Sequence, residues 1–518
     1  MPPVFISFDG WDPGGSAFGE GFREVINLYP AYNSWRPMRK FVPVGTGVVD
    51  GPMTGRHVHI WASGIGGGAY LPDAQTLFAG SPTKLYTINP ATGAFTNVSR
   101  AAAYTANPAG WRFASVGNDI WATDWLDTLQ RRTNNAGNFA DGPVGAFQPR
   151  PRFIATIREH LVWANNSAGR QDDWGWSDAD DATNYTPPTG TSTSIAGRPP
   201  PLTSIPGQIT GLVSRRQYGF IFKREGIYVI QYAGPPQIFR PDILSERIGT
   251  AWPSSIISGR FGVFFRGADG FYRISGLGPP ELISPAGIEW WLQERQGLAA
   301  TTAAAAAWSE DLGVFGFEHP ALPFIGWGLG SGTLLGQPGS VHAIIYDPTT
   351  NQWGHAVIAT SPTALTPVFI ERPSAASPNE ALVALPNELI AGTSTFAPFS
   401  ADATKVLLPR LILRYRPANL ENAAPLQQSI LDSILPIVSK AAPFTSPAPS
   451  PKVTVSAVRD PFQTSVATEI RAATERNVVD GHYPFQSAGR FFEIDIDFQL
   501  EEDFSDFSGV YVNTRLLT

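Results

Sequence analysis

The chain offers few side-chain combinations that could bind a metal ion or activate a nucleophile. His57 and His59 alternate in the segment RHVHIW, so both imidazoles would lie on one face of a strand, a spacing that can bind a metal. No carboxylate stands close to them in the sequence, and the alternative is two histidines on an exposed strand face. The cluster of Asp178, Asp180 and Asp181 lacks the glycine and the glutamate that a calcium loop requires, which favours a turn with solvated carboxylates.

The common enzyme and nucleotide-binding motifs are missing from the sequence. The glycines of GIGGGAY (Gly64–Tyr70) superficially resemble a dinucleotide loop, but no βαβ pattern follows and no Gly-Lys-Ser/Thr sequence occurs. There is no Gly-x-Ser-x-Gly elbow, no His-Glu-x-x-His and no cysteine, so thiolate chemistry is excluded. Paired carboxylates of the glycosidase type are neighbours in space rather than in sequence, so the sequence points to no particular pair. We predict a protein that is not an enzyme and has no cofactor, with a hydrolase on a propeller scaffold as an alternative.

The middle of the chain consists of repeated units in which an apolar strand, a polar turn and a second strand follow one another. Gly, Pro, Asn and Asp bound short alternating or aromatic-rich runs. The units recur every ~35 to 55 residues, the period of four-stranded propeller blades. We predict an all-β fold with a β-propeller of six or seven blade-like units over residues 61–400; a β-sandwich with repetitive hairpins is the alternative. The units are Gln75–Gly80 with Lys84–Ser99, Trp111–Thr133, Arg152–Ser167, Gly211–Asp242, Ile256–Ser284, Val341–Ile358 and Glu380–Ser400.

Longer alternating strands begin at about residue 401. They predict a smaller C-terminal β-domain over residues 401–518, with a Pro/Ser-rich insertion around 418–450 that projects from the body. A few short helices are expected. The capping residues and apolar spacing of Ser284–Ala300 predict one. A second is predicted within Ala423–Lys440, broken or kinked by Pro436.

Composition limits the classes of partner. Of the 518 residues only 16% are charged, whereas 43% are hydrophobic and 12% aromatic. Such a chain folds, and its largely neutral surface suits a protein that is covered by neighbours. The net charge of −7 gives no sign of a basic nucleic-acid-binding face. No run reaches the ~18 apolar residues of a membrane span, and the first residues lack the pattern of a signal peptide, so membrane insertion is not expected.

Residues 1–60 are predicted to form an N-terminal arm and docking segment. Within NLYPAYNSWRPMRK (Asn27–Lys40), Pro30 and Pro37 argue against a helix and against a central strand. The aromatic side chains would anchor a docking surface on another subunit or an adaptor, and the basic side chains would lie at its rim. The alternative is an arm folded over its own subunit, with the aromatics capping a propeller face. The candidate interface residues are Tyr29, Tyr32, Trp35, Arg36, Arg39 and Lys40.

The order of the motifs resembles that of the tail nozzle proteins, or tail tubular protein B-like β-propeller proteins, of short-tailed bacteriophages. The opening NLYPAYNSWRP is followed by three further segments, and the closing strands are also similar to those of the family. The resemblance covers most of residues 22–360 and the last thirty residues, but neither 290–340 nor 401–450. The later segments are TKLYTINPATGAFTNVSR (Thr83–Arg100), WRFASVGNDIWA (Trp111–Ala122), WGWSDADDATNYTP (Trp174–Pro187) and GRFFEIDIDF…GVYVNTRL (Gly489–Leu516).

This resemblance implies a structural protein of the virion tail, assembled in the host bacterial cytoplasm. Six copies would form a homo-oligomeric ring, a hexamer, below the portal-adaptor ring and would dock tail fibres or a needle. Genomic DNA would pass through the lumen during DNA ejection without specific binding. A receptor- or carbohydrate-binding propeller of a tail fibre component is the alternative function.

Overall fold

The structure, a computed structural model, consists mainly of antiparallel β-strands. It describes residues 4–6, 11, 13, 21–31, 34–43, 47–49, 61–62, 75–81, 83–88, 94–105, 111–143, 147–188, 193–215, 217–299, 314–318, 323–329, 340–359, 368–372, 380–390, 393–406, 409–417, 428–440, 451–458, 467–472, 475, 482–498 and 504–516. The histidines at 57 and 59, the glycine-rich loop at 64–70 and the Pro/Ser-rich segment at 442–450 lie outside these residues.

Six short strands are described before residue 50. They are β1 (Val4–Ile6), β2 (Gly21–Ile26), β3 (Leu28–Ala31), β4 (Ser34–Pro37), β5 (Arg39–Pro43) and β6 (Gly47–Val49).

The strands that follow form successive antiparallel sheets, numbered here in chain order. Sheet 1 holds β7 (Trp61–Ala62), β8 (Gln75–Gly80), β9 (Leu85–Ile88) and β10 (Phe95–Asn97), and sheet 2 holds β11 (Arg112–Val116), β12 (Asp119–Thr123), β13 (Gln130–Arg132) and β14 (Ala140–Asp141). Sheet 3 holds β15 (Pro151–Ile157), β16 (His160–Asn166) and β17 (Trp174–Trp176), and sheet 4 holds β18 (Ile209–Arg215), β19 (Tyr218–Lys223), β20 (Ile227–Tyr232) and β21 (Phe239–Ser245). Sheet 5 holds β22 (Ile257–Gly259), β23 (Gly262–Arg266), β24 (Phe271–Ile274) and β25 (Glu281–Leu282).

Helix α1 (Ala286–Ala299) separates sheet 5 from the remaining sheets of this series. Sheet 6 holds β26 (Val314–Glu318), β27 (Ile325–Leu329), β28 (Ser340–Asp347) and β29 (Gln352–Ala359). Sheet 7 holds β30 (Val368–Arg372), β31 (Glu380–Ile390) and β32 (Thr393–Val406), extended by β5 and β6. The chain then continues through β33 (Arg410–Tyr415), β34 (Ser429–Lys440), β35 (Lys452–Val458), β36 (Ala467–Arg471), β37 (Tyr483–Gly489), β38 (Phe491–Asp497) and β39 (Phe504–Leu516).

Tight turns make each sheet a meander of sequence neighbours. In sheet 2, Val116 pairs with Asp119, so only two residues connect β11 to β12. The first of them, Gly117, has a φ of +56°, a left-handed conformation that glycine adopts without steric cost. Such turns keep the strands short. The apolar faces of each sheet must then be buried against neighbouring sheets.

Neighbouring sheets are joined by separate hydrophobic cores. Sheets 1 and 2 share a core around Phe78 and Trp111, and sheets 2 and 3 share one around Trp121 and Trp163. Sheets 3 and 4 meet around Trp174, Ile209 and Ile221, whereas Phe222, Phe265 and Tyr272 fill the space between sheets 4 and 5. The first strand of each sheet from 2 to 6 packs beside the first strand of the next sheet. This stacking of face-packed meanders is the architecture of a β-propeller.

Two observations show that the stack curves into a ring. Arg112 of sheet 2 contacts Ser254, which precedes sheet 5, and an open linear stack would keep these sheets apart. In sheet 7, β5 and β6, which precede sheet 1, pair with β32, which follows sheet 6. The hydrogen bonds of this sheet tie the two ends of the propeller together. The fold is therefore an all-β propeller, as predicted, with seven sheets in the described part of the chain.

The two ends of the chain combine into a smaller pair of sheets. One has the order β3-β4-β39-β34-β37, with β1 on β39, and the other has the order β2-β33-β38-β35-β36. The strand FFEIDID (β38) alternates between half-buried and buried residues, which is the pattern of a sheet with one face on a core. Buried side chains from both sheets, including Val25, Leu413, Ile494 and Val512, belong to one core. We call this unit the terminal sandwich.

Helix α1 and a buried ion pair connect the propeller to the terminal sandwich. Arg266 of sheet 5 makes two hydrogen bonds of 2.6 Å to the carboxylate of Glu289 in α1, and both side chains are largely buried. Trp291 of the same helix packs edge-on against Trp11, and the ring of Trp11 stacks on His355 of sheet 6. The core of the sandwich is continuous with that of sheets 5 and 6. The helix predicted over Ser284–Ala300 is thus confirmed.

The helix predicted within Ala423–Lys440 is wrong, because residues 429–440 form strand β34 between β37 and β39. In the pairing of β34 with β39, an irregularity between Leu431 and Ser433 adds one residue to β34. Leu431 and Ile434 are therefore three residues apart while both are buried, a spacing that imitates a helix. The described pairing with β37 ends at Ile434, so Pro436 lies where one side of the strand needs no hydrogen-bond donor.

The strand pairing also differs from the expected division of the chain. Residues 21–37 were expected in an N-terminal arm, but β2, β3 and β4 belong to the sheets of the terminal sandwich. The segment Leu28–Pro37 is a hairpin, in which β3 is the outermost strand and therefore accommodates Pro30. Part of the insertion expected at 418–450 is the strand β34, inside a sheet rather than projecting from it.

Candidate functional site

The first candidate site is the hairpin that contains the predicted interface residues. Trp35 is fully buried, in the core that joins the terminal sandwich to sheets 5 and 6. Its ring lies beside Phe22 and rests on Gly354 of β29, where an added methyl group would be 3.0 Å from the indole. Trp35 is therefore not an exposed anchor, and the prediction of this role needs correction. The strand alternation that faces it inward was hidden by the two prolines.

The neighbouring residues of the hairpin face outward. Tyr29 is half-buried, with its ring 5.3 Å from that of Phe324, and it pairs across the hairpin with Arg36. Arg36 is exposed and donates a 2.9 Å hydrogen bond to Asp506 of β39, which raises the pKa of its guanidinium. Their role in an interface stays a prediction. Strand β3 of the hairpin lies against β29, the outer strand of sheet 6 of its own chain.

The other predicted interface residues are described in part or not at all. Tyr32 lies outside the described residues. The backbones of Arg39 and Lys40 belong to β5, where they pair with Val406 and Asp402 of β32. The position of their side chains at the rim of an interface stays a prediction. Their backbones take part in closing the propeller.

The second candidate site is the propeller axis, where hydroxyl groups connect the innermost strands. Thr156 of sheet 3 donates a 2.5 Å hydrogen bond to the carbonyl of Ser115 in sheet 2. Ser258 of sheet 5 donates one of 2.6 Å to the carbonyl of Ser214 in sheet 4. Each bond joins the end of one inner strand to the inner strand of the preceding sheet. In the sequence, a hydroxyl residue just before the first turn of these repeats was the available signal for these contacts.

An arginine side chain spans the axis. Arg112 begins the inner strand of sheet 2, and its guanidinium donates a 3.4 Å hydrogen bond to the hydroxyl of Ser254, three sheets further around the ring. Ser254 is buried. Because a single side chain reaches the opposite wall, the passage at this level is much narrower than a DNA duplex, whose major groove alone is about 12 Å wide. Sequence reasoning did not single out Arg112.

The acidic cluster at Asp178–Asp181 forms a turn after sheet 3. Asp178 accepts backbone N–H groups from Ala179 and Ile195 at 2.9 and 3.0 Å, and Asp181 accepts one from Thr183. The carboxylates thus hold the turn together and tie it to the chain at Ile195. In the described part of the chain, no three histidine, aspartate or glutamate side chains are arranged to hold a metal ion.

A buried acid in sheet 2 was also missed by sequence reasoning. Asp124 follows β12 and accepts the backbone N–H groups of Leu126 and Asp127 at 3.1 and 2.9 Å. Burial raises the pKa of this carboxyl to about 6. The neighbouring Arg100 pairs with Asp127 and Asp141 instead. Because Asp124 accepts the N–H groups of its own turn, this geometry defines a rigid loop with a titratable group.

The class of protein defined by these observations is an all-β propeller with an added terminal sandwich. No protein-family model and no curated protein matches the chain. Among solved structures, YCF48 bound to a D1 peptide has a TM-score of 0.39 and 11% identity, covering 70% of this chain and 97% of its own. The β-propeller domain of Cps50 (Swd1) from Myceliophteria thermophila has a TM-score of 0.39 and 9% identity, covering 68% of this chain and 98% of its own. The propeller assignment rests on the strand order and inter-sheet cores described above.

No helix among the residues that the structure describes combines the length and the apolar character needed to cross a membrane.

Proposed function

We propose that the chain is a structural protein of the virion tail, a nozzle subunit of a short-tailed bacteriophage. The observation that best supports the proposal concerns the two motifs at the ends of the chain that resemble this family. Phe507 and Asp506 lie in β39, the strand that also carries the closing GVYVNTRL, and they pair with Trp35 and Arg36 of the opening motif. The segments that carry the resemblance are therefore parts of one structural unit.

In this proposal the DNA channel lies between subunits. The axis of the propeller is crossed by Arg112 and cannot pass a duplex. Six copies arranged in a closed ring would enclose a wider lumen, formed by the outer surfaces of the subunits. The chain has 37 basic and 44 acidic residues, so few cations are available to hold phosphates along that lumen. Sparse phosphate contacts suit a channel through which DNA slides.

A ring of identical subunits needs two different contact surfaces on each copy. Such heterologous contacts close when the rotation between neighbours matches the number of copies. The Arg266–Glu289 pair holds α1 on sheet 5, and the core of the terminal sandwich continues into sheets 5 and 6, which supports a fixed angle between the two contact surfaces. The ring would bind the portal-adaptor ring on one side and tail fibres or a needle on the other, without a catalytic role or a cofactor.

The oligomeric state tests this proposal. The purified chain would be mixed with its adaptor ring, and the mass would be determined by size-exclusion chromatography with light scattering. We expect six copies per complex, either preformed or assembled on the adaptor. A stable trimer that ignores the adaptor would contradict the proposal and would favour the receptor- or carbohydrate-binding component of a tail fibre. Saccharide turnover that one carboxylate substitution abolishes would instead indicate the hydrolase.

A further inference from the structure

A polar cavity opens at one edge of the terminal sandwich, where the last described strands of its two sheets lie side by side. Strand β36 ends one of these sheets and β37 ends the other. The cavity has a volume of about 450 Å³, which lies in the range of small-ligand sites. Its lining residues are Glu469 and Arg471 of β36, Pro484, Phe485 and Gln486 of β37, and Asp432 of β34.

Side chains of β36 occupy the backbone groups at the edge of β37. Glu469 accepts the backbone N–H of Gln486 at 3.1 Å and the hydroxyl of Ser487 at 2.8 Å. Arg471 donates a 2.7 Å hydrogen bond from its Nε to the carbonyl of Pro484. An added β-strand would need the same backbone groups, so a peptide is not expected to extend the sheet at this edge. Recognition in the cavity therefore depends on side chains.

The described charges at the cavity are balanced. The guanidinium of Arg471 pairs with the carboxylate of Glu469 and lies 5.4 Å from the centre of the Phe485 ring. Asp432 pairs with Arg515 of β39, whose Nε is 3.0 Å from one carboxylate oxygen. Two acids and two bases thus form two ion pairs. A charged ligand would compete with a partner that is already in place, so the cavity favours a neutral ligand.

The lining keeps hydrogen-bonding groups for such a ligand. Gln486 is exposed, and its side-chain amide forms no hydrogen bond with any described residue. The second carboxylate oxygen of Asp432 likewise has no described partner, and the side chain of Arg515 is 61% exposed. Beside these groups the ring of Pro484 is exposed. An amide both donates and accepts, as a hydroxyl does, so this mixture suits a ligand with several hydroxyl groups.

We propose that this cavity binds a neutral saccharide unit. Asp432 accepts a hydrogen bond from one sugar hydroxyl, and the amide of Gln486 donates to and accepts from others. The ring of Pro484 provides an apolar surface for the C–H groups of the sugar. The proposal places saccharide recognition on the terminal sandwich and not on the propeller. It rests on one subunit and does not depend on the proposed ring.

The test titrates the full-length chain with D-glucose, D-galactose, D-mannose and N-acetyl-D-glucosamine, followed by saturation-transfer NMR. We expect at least one of them to bind with a millimolar Kd. Gln486→Ala should weaken binding about fivefold, because a neutral hydrogen-bonding group is lost. Asp432→Asn keeps the size of the side chain but removes a charged acceptor, so it should weaken binding about tenfold. The matched control is Gln237→Ala, an exposed glutamine just before β21, which should leave the affinity unchanged.

A second titration tests the preference for a neutral ligand. The uronate and the 2-amino derivative of the sugar that binds carry one negative and one positive charge, and neither should bind more tightly than the neutral sugar. Circular dichroism confirms that each variant is folded. The proposal is overturned if none of the four saccharides binds, or if a charged derivative binds tenfold more tightly. It is also overturned if the folded Gln486→Ala and Asp432→Asn variants bind as well as the control.

Discussion

The propeller and the terminal sandwich are both antiparallel, but they differ in the distance along the chain over which their strands pair. In sheets 2 to 6 each strand pairs with the next strand in the sequence. In the terminal sandwich, the side chain of Arg23 in β2 forms an ion pair with that of Glu493 in β38, 470 residues away. The propeller is thus built from local contacts repeated around a ring, whereas the sandwich requires both ends of the chain.

This difference has consequences for stability and folding. Long-range contacts are entropically costly to form before the intervening chain is ordered. The sandwich should therefore form only after the propeller has brought the two chain ends together, through the pairing of β5 with β32. The sandwich then depends on the contacts at the junction between the two units. Substitutions at the junction and substitutions inside the propeller separate the contributions of these two regions to the free energy of unfolding.

The largest loss of stability is expected from Trp35→Ala. Trp35 is fully buried at the junction, and truncating such a side chain costs about 4 kcal/mol through lost burial and a cavity. Trp290→Ala is the matched control, because this tryptophan of α1 is 54% exposed, and its loss should cost about 1 kcal/mol or less. Urea unfolding monitored by circular dichroism measures both. Equal losses in the two variants would show that the junction contributes no more than the surface.

A slightly smaller loss is expected from Arg266→Met, which leaves the carboxylate of Glu289 buried without its partner. Breaking a buried ion pair in this way costs about 3 kcal/mol. The double variant Arg266→Met/Glu289→Leu should recover much of that loss, because no charge is left buried. Arg240→Met, in an exposed pair, should change the free energy of unfolding by about 1 kcal/mol or less. If the losses of stability caused by the two substitutions add up in the double variant, the two side chains do not stabilise the fold as a buried ion pair.

The pH dependence of stability probes the propeller alone. Burial raises the pKa of Asp124 to about 6, above its value in the unfolded chain, so the folded state binds the proton more tightly. Stability contributed by this group is present at low pH and is lost as the pH rises from about 4 to 6. The loss is about 2 to 3 kcal/mol.

Asp124→Asn should flatten this part of the profile, because the amide oxygen still accepts the N–H groups of the turn but cannot ionise. The variant should be more stable than the wild type at pH 7. Urea unfolding at several pH values measures the effect, and Asp180→Asn, in an exposed turn, is the control. An unchanged profile in Asp124→Asn would assign the pH dependence to other groups.

The smallest effect in this series is expected from Gly175→Ala in sheet 3. An added methyl group would lie 2.5 Å from the carbonyl oxygen of Gly197 and 2.6 Å from the ring of Trp163. A backbone oxygen cannot move as a side chain does, so the overpacking costs about 1 to 2 kcal/mol. Gly276→Ala, where an added methyl group meets no atom within 4 Å, should be nearly neutral. Thermal melting compares the two. Similar melting temperatures would show that sheet 3 is packed less tightly than described.

The same contrast explains how much could be predicted from sequence. The propeller sheets were predictable because strand, turn and strand follow within one short segment, as in Trp111–Thr133. The sandwich was not, because no local signal shows that Trp35 would meet Phe507. A β-bulge in β34, opposite β39, made an extended strand resemble a helix. The side chains at the axis, such as Arg112 and Ser254, come from distant sheets and meet only after the ring has curved, so their proximity was beyond sequence reasoning.

The location of the chain in the virion tests the central proposal most directly. Virions would be labelled with an antibody fragment against an exposed loop of this chain and imaged by electron microscopy. The proposal predicts sixfold label around the tail axis, directly below the portal-adaptor ring. Label only on peripheral fibres, or no label on intact virions, would contradict it.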